Sequence, residues 1–147
     1  MFHTTCSETN VKRKFRIEIH EPGSLLWKCV WLAELNNSKC SLLKAKIEIS
    51  SFDLCKSSTG KIQSVTYTYD IYSNITNMSC DVMGSLWNVL DENNVWHLNP
   101  RSPFAYDGIT YFVSVYEKGR THQFSTYCPD NVKFLRIVSY VENYIYR

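Results

Sequence analysis

The sequence predicts an α+β single domain: an antiparallel sheet of about six strands with two main helices, one before the last hairpin and one C-terminal. Three observations carry this. Period-2 alternation of apolar and polar residues fills the first half of the chain, and a helical period replaces it in two places only. Strands and helices are segregated rather than alternating, which favours an antiparallel sheet over a doubly wound parallel one. A length of 147 residues fits one core, so 1–147 reads as one domain, with 1–11 a flexible N-terminal segment.

From Lys12 to His20, Phe15, Ile17 and Ile19 alternate with Lys14, Arg16 and Glu18, the pattern of a half-buried strand. Glu21-Pro22-Gly23-Ser24 turns the chain. Leu25 to Glu34 is a second strand, ended by Asn36-Asn37-Ser38, whose apolar residues on both faces suggest cover on both sides. Leu43, Ala45, Ile47 and Ile49 alternate with Lys44, Lys46 and Glu48, a third strand with one wet face. After the Lys56–Gly60 loop, Val65, Tyr67, Tyr69 and Ile71 alternate with Thr66, Thr68 and Asp70 in a fourth.

Met83, Leu86, Trp87 and Leu90 then fall at i, i+3, i+4 and i+7, one stripe of a helix with Ser79 as N-cap and Asp81 in its first turn. Two prolines in Asn99-Pro100-Arg101-Ser102-Pro103 exclude regular structure there. Lys118-Gly119 joins a hairpin of Ile109–Glu117 and Thr121–Cys128, because glycine readily supplies the positive φ of a tight turn. A last helix follows Pro129, with Asp130 as N-cap and Phe134, Ile137, Val138, Val141, Tyr144 and Ile145 as its buried stripe. Tyr67, Tyr69, Tyr111 and Val113 read as core partners across strands.

With 44% hydrophobic and 20% charged residues the chain is an ordinary globular protein, which excludes intrinsic disorder. Sixteen Lys and Arg against fourteen Asp and Glu leave +2, too small a surplus to indicate nucleic acid or an acidic membrane. The one dense basic cluster, Lys12, Arg13, Lys14 and Arg16, reads as charges that protect a sheet edge. The chain shows neither a secretory signal nor an apolar run long enough to span a bilayer, so a cytoplasmic location with reduced cysteines is expected. Six cysteines would also suit three bridges in a secreted or periplasmic chain.

Chemistry-bearing motifs are missing. The sequence holds no HxxxH, CxxC or HExxH spacing for a metal and no glycine-rich phosphate loop, so no cofactor is expected. His122 and Cys128 share strand parity but stand roughly 20 Å apart in an extended strand. A pairing of His122 with Cys29 or Cys55, oriented by Asp107, keeps a Cys/His-dependent enzyme open as an alternative. What stands out is the aromatic content, 4 Trp, 10 Tyr and 7 Phe, because Tyr and Trp give amphipathic contact area at interfaces. Tyr72, Asp91, Glu92, Tyr106, Asp107, Tyr116, His122 and Tyr127 form the candidate partner-binding set, taken from loop-margin aromatics and acids.

In the C-terminal half, Leu86-Trp87, Val95-Trp96-His97-Leu98, Asp107-Gly108-Ile109-Thr110-Tyr111, Tyr116-Glu117-Lys118-Gly119, His122-Gln123-Phe124 and Cys128-Pro129-Asp130 resemble a pattern of small bacterial proteins, most without an assigned activity. The resemblance covers roughly residues 86 to 143. It implies the same α+β order and supplies no active site. Many of those proteins are lipoproteins, whereas no lipobox precedes Cys6 here. At the level of class, the chain also resembles bacterial immunity proteins, which imply a non-enzymatic inhibitor that occludes a cognate protein toxin domain. Such blocking needs a face of about 800 Å² with a few aromatic anchors and no chemistry of its own.

Overall fold

The computed structural model describes residues 12–21, 29–103 and 108–145. Its elements are β1 (Arg13–Glu21), β2 (Cys29–Asn36), β3 (Ser41–Lys56), β4 (Ile62–Asn77), α1 (Cys80–Glu92), a 3-10 turn at Val95–His97, β5 (Thr110–Glu117), β6 (Arg120–Tyr127) and α2 (Val132–Ile145). The strands form a six-stranded sheet in the order β4-β3-β2-β1-β5-β6, and every neighbouring pair is antiparallel. The α+β fold with an antiparallel sheet and two helices is therefore as the sequence predicts. Residues 1–11, and with them the expected N-terminal segment, lie outside the described residues.

Both helices serve one face of the sheet. Register places Phe15 beside Leu35 and Val115, Ile17 beside Ala33 and Val113, and Ile19 beside Trp31 and Tyr111, so one parity of three strands builds a continuous apolar floor. Met83, Leu86, Trp87 and Leu90 of α1 and Phe134, Ile137, Val138 and Val141 of α2 close over it, all buried. At about 1.5–3 kcal/mol for each large side chain removed from water, this layer dominates the stability of the fold. The Tyr111 and Phe124 rings meet Phe134 edge-on, at 5.3 and 5.6 Å between centroids.

Local signals act as read at most boundaries. Ser79 Oγ accepts from the Val82 backbone N–H at 3.2 Å and caps α1. Lys118 and Gly119 both take positive φ, 46° and 81°, the pair of values a two-residue hairpin turn requires. The N-cap of α2 is a correction: Asn131 Oδ1, not Asp130, accepts from Phe134 N–H at 2.9 Å, and the helix begins at Val132. Either residue type can cap, so composition could not choose between neighbours.

Three further corrections concern the sheet. β1 lies in the middle, between β2 and β5, so its basic residues protect no edge. Arg13 instead faces the helices and pairs with Asp91 at 3.4 Å, while Arg16 bridges Glu18 and Glu34 at 3.3 and 3.5 Å on the opposite face. β3 and β4 run to 16 residues each, beyond the stretches of clean alternation. A register shift at Ser50, between Ile49 and Ser51, explains the concealed length of β3: one extra residue reverses the parity of the sequence and leaves the strand intact. Tyr67 and Tyr69 are not core partners but lie on the helix-free face, Tyr69 exposed.

Candidate functional site

The helix-free face is where this chain departs most from what its own pattern calls for. Leu43, Ala45, Ile47 and Ile49, the apolar parity of β3, point away from the helices, and so do Val65, Tyr67, Tyr69, Ile71 and Ile75 on β4. Both sides of this hairpin meet solvent along much of its length, so its apolar side is left uncovered as well. Past the bulge Phe52 pairs with Tyr67 and Leu54 with Val65, so the extra residue at Ser50 returns both side chains to the same face. Without it they would turn over to the other side.

Exposure follows. Ile71 and Ile75 are 68% and 70% exposed, and Phe52 is 57%. The Phe52 and Tyr67 rings lie 6.5 Å apart across the strands and Tyr67 lies 6.4 Å from Tyr69 along β4, a run of rings held by regular strand spacing. Among the described residues β2 pairs with β3 as far as Glu48, and beyond it β3 and β4 pair with each other. Among the described residues no helix or loop packs over this face.

Toward β1 and β5 the same face turns polar. His20 Nε2 lies 3.2 Å from Glu18 Oε1, and the His20 ring sits 4.7 Å from Phe112. Arg16, Glu18, Phe112, Ser114, Gln123 and Ser125 border a shallow groove of about 590 Å³. An apolar field beside a hydrogen-bonding rim is the arrangement of a protein-contact surface.

The residues singled out from the sequence do not converge. Tyr72 is exposed on β4, on the helix side, and Tyr116 is exposed on β5, on the open side, with four strand spacings, roughly 19 Å, between the two strands. Asp91 and Glu92 are exposed at the end of α1. His122 is engaged structurally, its Nε2 at 2.6 Å from the Leu98 carbonyl oxygen. The Tyr127 hydroxyl accepts from Gly108 N–H at 2.7 Å. Tyr106 and Asp107 lie outside the described residues. The aromatics of the face that sequence reasoning did not select, Phe52, Tyr67 and Tyr69, carry a readable signal in their alternation; alternation cannot say which face the helices take.

Titration and thiols add little chemistry. Burial raises the Glu142 carboxyl above its ordinary pKa, and it raises Tyr111 too, helped by the charges of Glu142 and Cys128. Cys55 and Cys128 are free thiols, exposed and half-buried respectively, Cys29 is buried, and Cys40 and Cys80 bring their Sγ atoms to 4.0 Å. Among the described residues no group of three or more His, Cys, Asp or Glu is placed to hold a metal ion, and no helix is long and apolar enough to cross a membrane.

No family model and no curated protein matches the sequence.

Proposed function

We propose that this chain is a binding protein that acts by covering a partner protein, with the open face of the β2–β3–β4 side as its contact surface. The observation that carries the reading is the placement of the apolar parity of a hairpin of two 16-residue strands on the face that the two helices leave open. Exposed contiguous apolar surface on a folded domain marks an interaction site, and its ring-bearing members suit anchors in a partner's pocket. The polar row of Arg16, Glu18, Glu34 and His20 beside it supplies the rim.

The partner class is a protein toxin domain, bound in the cytoplasm and neutralised by occlusion in the manner of immunity proteins. Such inhibition requires a complementary face and no catalytic group. The test is co-purification with the toxin domain encoded beside this chain, with activity assays of that toxin. Binding and inhibition are expected from the native chain, and Phe52→Lys is expected to weaken binding at least tenfold, since it places a charge among the anchors. No complex at micromolar concentrations, or full inhibition by a variant with Phe52 and Tyr69 both changed to Lys, would overturn the reading.

A further inference from the structure

We infer that the outer edge of β4 takes a second copy of this chain, giving a two-fold dimer with one continuous sheet. The edge and the open face are different surfaces: the edge offers backbone N–H and C=O groups, the face offers side chains. This dimer is independent of which partner the face receives.

Four observations lead here. Among the described residues β4 is the outermost strand, 16 residues long, and all its residues except Val65 and Tyr67 are exposed. Solitary edges are usually shortened, bulged, or marked with Lys or Pro. From Val65 to Asn77 β4 has none of these devices: it carries one charge, Asp70, with no Lys, Arg, Pro or Gly, the Ser50 bulge sits in β3, and the irregularity at Gln63 of β4 lies outside this stretch.

The other edge is short and partly occupied. β6 has eight residues, its Tyr127 N–H donates to Ser102 Oγ at 2.9 Å, Thr126 Oγ1 donates to the Arg101 carbonyl at 3.2 Å, and Arg120 lies over the Trp96 ring at 3.7 Å. One long bare edge and one short, partly occupied edge favour a self-complementary pair over an endless filament, because pairing β4 with β4 consumes the longer edge.

Register follows from the single charge. Pairing centred on Asp70 would set two carboxylates face to face, which is unfavourable. Centring on Ile71 sets Ile71 against its own copy, Asp70 against Tyr72, Tyr67 against Ile75 and Thr66 against Thr76, and keeps the two open faces on the same side. Each half-exposed large side chain supplies roughly 100 Å². Pairing from Val65 to Asn77 therefore buries on the order of 600–800 Å² per chain, near the about 800 Å² per partner of a standard interface.

The experiment is sedimentation equilibrium of the purified chain at tens of micromolar, with circular dichroism as a check on folding. The native chain is expected at twice 17.2 kDa. Ile71→Lys is expected at the single mass with an unchanged spectrum, because Ile71 is largely exposed and the substitution opposes two like charges on the axis. Phe52→Lys, one strand inside the edge, is expected to stay dimeric even where it abolishes toxin binding, which separates this inference from the docking reading. A native chain of single mass, a dimer that survives Ile71→Lys, a dimer lost with Phe52→Lys alone, or mass that keeps growing with concentration would each overturn it.

Discussion

The Arg13 guanidinium lies 4.5 Å from the centre of the Trp87 ring, joining the first strand to the first helix. The same group reaches Asp91 at 3.4 Å, but that carboxylate is half exposed, so the ring contact is the stronger of the two. Arg13→Ala is expected to cost about 1–2 kcal/mol in urea unfolding, through lost cation–π attraction and lost packing of the arginine stem. Asp91→Ala is expected to cost less than about 0.5 kcal/mol. Equal losses for the two would show that the ion pair carries the contact.

Gly108 has no room for a side chain. A Cβ there would run into Cys128 Sγ and lie 3.2 Å from the Tyr127 ring, whose hydroxyl already accepts from Gly108 N–H. Gly108→Ala is therefore expected to destabilise the chain by about 1–3 kcal/mol, the usual range for overpacking. Adding Cys128→Gly removes the obstructing sulfur and suits the left-handed backbone at that position, φ 45°, so the double variant should recover much of the loss. A Gly108→Ala melting curve equal to that of the native chain would contradict the packing described.

Glu142 has a folded-state pKa raised by burial. A group raised on folding adds stability in its protonated form: the contribution is complete below the unfolded pKa and is lost as pH rises through the folded one. Glu142→Gln should then raise the melting temperature by about 1 °C at neutral pH, a small gain because the group is only partly buried. The advantage should vanish below about pH 4, where the native carboxyl is protonated in both states. Thermal melts at both pH values check the sign.

Core and face should respond oppositely to mutation. Ile17→Ala, at the centre of the buried floor, is expected to cost about 2–5 kcal/mol. Ile75→Ser, 70% exposed on β4, should change the stability of the isolated protomer by no more than about 0.5 kcal/mol. Dilute denaturant titrations that found Ile75→Ser as costly as Ile17→Ala would mean that the chain itself covers this face.

Period-2 alternation, the 3.6-residue stripes of the two helices, the Ser79 cap and the Lys118-Gly119 turn were legible in the chain because each is a local preference that neighbouring residues express by themselves. They determined the element order, the antiparallel sheet and most of the helix core. Local pattern distinguishes the two faces of a strand but does not name the one the helices will cover, nor does it say that β1 sits centrally and β4 at the edge. Those are matters of long-range packing. The two helices, 13 and 14 residues long, pack on one face of the central strands, and register together with the Ser50 bulge turns Phe52, Tyr69 and Ile71 to the other face, toward solvent.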